Sequence, residues 1–314
     1  MSSPIEIISI TNKSGLRANL LSWGATLVSV YFPDKEGNER DLILGFDTAQ
    51  EYIEGRTYFG HTVGRVANRI KEGRIEIEGK VIQLECNRQP HHLHGGTNTV
   101  AHRNWQVHRY CENSVTLMIE VKSEDDGYPG DVLFKTTYIV NDLNQLLIEH
   151  FAQVSSPCPI NLTNHAYWNL DGSVIDSVAM PTGEISTVDG TSFDYRTLRR
   201  VGPRAWQDPP AVELDNDFVL DEREKGENVM MLESELSGIR MTISTSYPVI
   251  HLFTANNFNG SLKGKGGIPM ECHGGLAIEA QKYSGAPSYT HFPSVLLRPE
   301  DTYEEEVIYT FSHI

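Results

Sequence analysis

The sequence predicts an all-β protein, a sandwich or barrel, on three observations. Apolar residues recur with period 2 along most of the chain. Helical periodicity is scarce, with no amphipathic stretch beyond about three turns. The strand-like runs are closely spaced and separated by polar turn residues. In chain order, residues 25–31 form the first clear strand. Residues 46–54 predict a short helix with Asp47 as its N-cap. Residues 74–84 read as a hairpin: Ile75 and Ile77 alternate with charges, and Gly79-Lys80 marks the turn. In 114–121, Val115, Leu117, Ile119 and Val121 share one face, and Thr116 and Glu120 fall on the other. Residues 133–140 and 145–154 are two further strands joined by the turn chemistry of Asn141-Asp142-Leu143-Asn144. Strands follow at 239–245, 249–254, 276–280 and 303–311. Pro203 to Pro210 reads as a loop and Glu222 to Glu227 as a charged surface turn. The pattern is the same on both sides of each, so residues 1–314 are expected to form one domain.

Composition narrows the function. The chain has 314 residues, with 26 Lys and Arg against 42 Asp and Glu, a formal charge of -16. That length is about the upper limit for one continuous core. The acidic balance argues against nucleic acid or polyphosphate as a partner, because phosphate contact needs clustered basic residues. The four cysteines are scattered and form no Cys-x-x-Cys pair. The N-terminus shows no basic region followed by an apolar one, and no apolar stretch approaches the roughly 20 residues that span a bilayer. A cytoplasmic protein with no membrane partner is the expectation.

Four segments concentrate polar residues that a sandwich core does not need: 64–70, 91–96, 161–170 and 275–283. In the third, His165 is flanked by Asn164, Tyr167 and Trp168. An imidazole passes protons near neutral pH, and aromatic rings beside amides suit the apolar faces and hydroxyl edges of a sugar. A strand-end histidine satisfied by the backbone is the ordinary alternative. In the fourth, Glu279 ends an apolar strand, either as a salt-bridge partner of Arg69 or Lys282 or as a base. In the second, His92 and His94 share a strand face, but no partner motif supplies the third and fourth ligands of a metal site. Gly95-Gly96 more simply lets a loop pass close to a ligand, with His94 directed at it. Asn68 and Arg69 can donate to hydroxyls or belong to a surface turn. The Gly260–Gly267 stretch lacks phosphate-loop spacing and reads as a turn.

Taken together and in order, these segments resemble the aldose 1-epimerase (galactose mutarotase) family. The resemblance covers nearly the whole chain. It runs through Ser22-Trp23-Gly24-Ala25, Tyr58-Phe59-Gly60, Asn68-Arg69-Ile70, Leu93-His94-Gly95-Gly96, Asn161-Leu162-Thr163-Asn164-His165, Glu279-Ala280-Gln281 and Phe292-Pro293-Ser294. It implies a large antiparallel β-sandwich of the galactose mutarotase-like type. It also implies interconversion of the α and β anomers of a free hexose, galactose or glucose, without cofactor or metal. Glu279 would be the base and His165 the acid, the scheme requiring Glu279 ionised and His165 protonated together. His94, Asn68, Arg69 and Asp215 would contact the sugar, and the protein would be a monomer or homodimer. A hexose-6-phosphate epimerase and a non-catalytic sugar-binding protein on the same fold are the alternatives. The -16 charge weighs against a phosphorylated sugar.

Two departures stand out. After Asp215 the family usually has a histidine, and here Asn216 stands there; a sugar-contacting glutamine of the family aligns with His251. Between Leu170 and Pro181 the chain is shorter than the family pattern by about a strand and its turn, which puts substrate fit in question there.

Overall fold

The computed structural model describes residues 4–55, 57–170, 184–199, 201 and 213–314. The Pro203 to Pro210 loop and the short connection between Leu170 and Pro181 lie outside the described residues. Three sheets of four or more strands, with four two-stranded ones beside them, carry the described chain. The largest has seven strands in the order Gln106–Cys111, Ser114–Val121, Val132–Asn141, Gln145–Val154, Tyr303–His313, Ile239–Thr245, Asn228–Glu233. A second has Ile7–Thr11, Arg17–Leu21, Thr26–Pro33 and Glu39–Asp41. The third has Tyr167–Trp168, Leu276–Gln281, Val249–Phe253 and Asp215–Val219. Neighbouring strands pair antiparallel within all three.

Alternation explains how the sheets pack. Along Val132–Asn141 every second residue is buried, so one face is covered and the other lies nearer solvent. Val132, Phe134, Tyr138 and Val140 join a core that also takes Ile10 and Leu20 from the second sheet and Ile250 and Ile278 from the third. The Trp168 ring lies 4.5 Å from Tyr309, and Phe32 lies 5.7 Å from Phe311. These contacts fasten the two smaller sheets to the large one. Each fully buried side chain of this size contributes about 1.5–3 kcal/mol. The result is an antiparallel sandwich, one of the two architectures the period-2 pattern allows and the one the resemblance implies.

Two local expectations shift by a residue or more. The helix spans Ala49–Gly55, and its cap is Thr48 rather than Asp47. Thr48 and Glu51 form the reciprocal Thr-x-x-Glu arrangement: the Glu51 carboxylate accepts from the Thr48 N–H at 2.9 Å and from its hydroxyl at 2.6 Å. Asp47 instead accepts from the Gly266 N–H. The hairpin pairs Ile77 with Lys80, so its turn is Glu78-Gly79. Both turn residues have positive φ, 52° and 77°, as a type I′ turn demands. The strands with no sequence signal include Gln106–Cys111, an edge strand with five of six positions exposed. With neither face covered, it has no alternation to show. Among the described residues no helix is long and apolar enough to cross a membrane.

Candidate active site

Leu276–Gln281 is buried at all six positions, so neither of its faces meets bulk water. Leu276, Ile278 and Ala280 belong to the core. Period 2 therefore turns Ala277, Glu279 and Gln281 to the opposite face. On the neighbouring strand His251 stands across from Glu279, and on the next Asp217 stands across from His251. A row Asp217–His251–Glu279 thus crosses three strands on one face. Asp215, two residues from Asp217, shares that face.

His165 enters from a separate path. Thr163–Asn164 pairs with Thr62–Val63, and Tyr167–Trp168 pairs with Leu276–Ala277. His165 falls between these two short strands, its N–H donating to the His61 carbonyl at 2.9 Å. Its Nε2 lies 3.3 Å from Glu279 Oε1, with both side chains almost fully buried. His165 Nδ1 and Glu279 Oε2 have no hydrogen-bond partner among the described residues. Buried polar atoms without partners are costly, about 1–3 kcal/mol each, and at a cleft they mark where a polar ligand completes the network.

His94 completes the centre. Its ring is 5.3 Å from that of His165, and Tyr58 packs against both at 4.7 and 5.9 Å. The Asn68 N–H donates to His94 Nδ1 at 3.2 Å, while the His94 N–H donates to the Asn68 carbonyl. Burial, followed by the charges of His165, Arg69 and His251, holds the His94 pKa well below the usual histidine range. His94 is therefore neutral, and with Nδ1 accepting, its proton sits on Nε2. Asn68 and His94 both have positive φ, 59° and 51°. Such backbone costs a non-glycine residue about 1–2 kcal/mol, a price usually met at functional sites. Arg69 is half-buried, with its N–H on Asn68 Oδ1 at 2.8 Å.

Aromatic rings wall one side. Tyr167 lies 5.1 Å from His165, 4.9 Å from Phe59 and 5.4 Å from Phe258. The arrangement offers an apolar surface beside hydrogen-bonding edges. His94, His165 and Glu279 also place ligand atoms within 4.8 Å of one another. Two imidazoles and a carboxylate have the composition of a catalytic zinc set, although a zinc tetrahedron brings donors to roughly 3.4 Å.

The structure brings together Glu279, His165, His94, Asn68, Arg69 and Asp215, which reach this region from five separate segments. It sets His92 apart. His92 Nδ1 pairs with the Glu85 carbonyl and Nε2 with the Tyr128 hydroxyl, each at 2.7 Å, so His92 and His94 do not converge. The Gly260–Gly267 stretch is a turn that aims Lys265 inward. Lys265 Nζ donates to Asp41 at 2.7 Å and to the Val28 and Ile43 carbonyls, pinning the turn to the second sheet. Sequence reasoning assigned no role to Tyr58 or Asp217. Counting alternation back from His251 and pairing the strands would have found Asp217; nothing local marks Tyr58.

Comparison with known proteins identifies the family. The family model described as aldose 1-epimerase matches residues 6–310. Galactose mutarotase of Homo sapiens is 32% identical over 95% of this chain and 91% of its own length. Aldose 1-epimerase of Escherichia coli K12 is 28% identical over 98% and 95%. A crystal structure of an aldose epimerase homologue from C. elegans superposes with a TM-score of 0.93 at 42% identity, covering 99% of this chain and 100% of that one. With the motifs, the fold and the match across nearly all of the chain in agreement, this chain belongs to the aldose 1-epimerase family.

Proposed function

We propose that this chain interconverts the α and β anomers of free hexoses, galactose or glucose, through the open-chain aldehyde. The observation that carries the reading is the 3.3 Å separation of His165 Nε2 and Glu279 Oε1. The two oxygens that exchange protons in this reaction, the C1 hydroxyl and the ring oxygen, are bonded to the same carbon. Their base and acid must therefore lie within a few ångströms of each other. Glu279 takes the C1 hydroxyl proton while His165 gives a proton to the ring oxygen. The C1–O5 electron pair goes to O5, and the C1–O1 bond becomes the carbonyl. Rotation about C1–C2 presents the other carbonyl face. O5 then adds back, returning its proton to His165 while O1 recovers one from Glu279. Both groups end as they began, and no electrons leave the sugar.

His94 donates through Nε2 to the oxygen on which charge develops, and Asn68, Arg69 and Asp215 hold the remaining hydroxyls. Each acid–base partner contributes about 10²–10⁴ in rate. The acidic sheet face carrying Glu279, Asp215 and Asp217 favours a neutral sugar over a phosphorylated one. The same reading takes the protein as cytoplasmic and a monomer or homodimer, and residues 1–314 as one domain, the last supported by a core running from Ile8 to Phe311.

Polarimetry of freshly dissolved α-D-galactose and α-D-glucose tests it. The wild type is expected to exceed the spontaneous rate, and Glu279→Gln and His165→Asn each to lose about 10²-fold or more. No acceleration by the wild type sinks the proposal. Faster turnover of a hexose 6-phosphate than of either free sugar redirects it to the phosphorylated substrate.

A further inference from the structure

His251 is wired unlike a sugar-contacting side chain. It is 2% exposed, on the strand next to that of Glu279. Its Nδ1 lies 2.7 Å from Asp217 Oδ1 and its Nε2 3.1 Å from Asp215 Oδ1. Ionised carboxylates only accept hydrogen bonds, so both ring nitrogens must donate, and the ring is an imidazolium. Burial pulls its pKa down. The hydrogen bonds to Asp215 and Asp217 and the charges of Asp217 and Glu279 outweigh that, pushing it up to about 10. Across the site the neutral His94 also feels it.

Asp217 is itself anchored. The Ser284 N–H and hydroxyl both donate to it at 2.8 Å, and Gln281 Nε2 donates to the Ser284 hydroxyl at 2.7 Å. Hydrogen bonds thus run from the end of the Glu279 strand through Ser284, Asp217 and His251 to Asp215. Both ends lie on the face that holds Glu279 and His165.

We infer that His251 is a positioning residue: clamped by Asp217, it fixes the carboxylate of Asp215 for a sugar hydroxyl and sets a constant positive charge beside Glu279. The inference rests on the proposed sugar site and adds a residue to it. It accounts for three carboxylates on one largely buried face, Asp215 and Asp217 being partly exposed, since the imidazolium between them offsets their mutual repulsion. It also separates two duties: Asp215 meets the sugar, while His251 and Asp217 meet only protein.

The test measures initial mutarotation rates of α-D-galactose and α-D-glucose for the full-length wild type, His251→Gln, Asp217→Asn and the double variant. His251→Gln is expected to raise KM about tenfold, the worth of one charge-assisted hydrogen bond, with kcat within about threefold. Asp217→Asn raises KM less, and the double variant is no worse than His251→Gln, because both act through one contact. An unchanged KM, a fall in kcat alone, or additive effects overturns the inference while an active wild type leaves the proposed function standing. Inactivity of the wild type is the separate failure of that function. Nitrogen-15 NMR of the 12 histidines serves if His251→Gln does not fold. One imidazole is expected to stay doubly protonated at pH 8 in the wild type, and its absence also overturns the inference.

Discussion

Glu279 and His165 show how far a single residue's chemistry can be read. Their types suit proton transfer, but each had an ordinary structural alternative in the sequence. What sets the pair apart is that a buried imidazole and a buried carboxylate meet at 3.3 Å, each with one further atom unpartnered among the described residues. His94 depends on its neighbours still more. The Asn68 N–H selects its Nε2–H tautomer, and burial keeps it neutral, making it a fixed donor. His94→Phe keeps the ring against Tyr58 but removes that donor. It is expected to lower kcat about 10²-fold, as loss of one preorganised donor to developing charge does. Polarimetry with a thermal-melt control checks it, and an unchanged kcat would show that His94 only packs.

At the scale of elements, turns and caps carry the detail that alternation leaves open. Thr48→Ala removes the cap of the Ala49–Gly55 helix at exposed residues that have no part in the proposed acid–base pair. It is expected to cost about 1 kcal/mol of stability and no activity, read from urea midpoints and polarimetry together. Gly95 has the opposite profile. It sits at φ +81°, and a Cβ there would lie 1.9 Å from the Gly64 carbonyl oxygen, a backbone atom that cannot swing away. Gly95→Ala is expected to displace His94 and cut activity by more than the accompanying loss of stability explains. Equal loss in both would assign Gly95 a packing role alone. The central strands were legible because one covered face writes alternation into the sequence, as in Val132–Asn141. The edge strand Gln106–Cys111 was not, because exposure of both faces relaxes the choice of residue. Thr48 was passed over for Asp47 because both residue types cap helices. Only the reciprocal bond from Glu51 decides between them.

For the whole molecule, buried histidines set the pH range of stability. Burial, with His102 adding to it, lowers the His61 pKa to about 3, and burial alone does the same for His150. Below pH about 6.5 the unfolded chain binds protons at these sites that the folded chain does not. Stability therefore falls as pH drops from about 6.5 toward 3. His251 acts in reverse: its folded pKa is raised, so its contribution is complete below about 6.5 and is lost as pH rises through about 10. Urea midpoints across pH 5–9 are expected to peak near neutrality. His150→Gln keeps a partner for the Thr136 hydroxyl, which His150 Nδ1 meets at 3.1 Å. It should flatten the acid limb by up to about 1.4 kcal/mol per pH unit. An unchanged limb would show that His150 takes up its proton without unfolding.

The sequence by itself determined the class of fold, the placing of its central strands and a histidine and a glutamate of the types suited to the proposed acid–base pair. All of these follow from local pattern: a strand with one covered face must alternate, and proton transfer near neutral pH selects imidazole and carboxylate. The tertiary structure alone decided which of those residues meet and in what protonation state. Asp215, Asp217, His251 and Glu279 lie up to 64 residues apart, and strand register puts them on one face. There one buried histidine, between two carboxylates, is charged, while another, among positive neighbours, is neutral. Protonation depends on burial and on charges within a few ångströms, and both are set by parts of the chain far away in sequence.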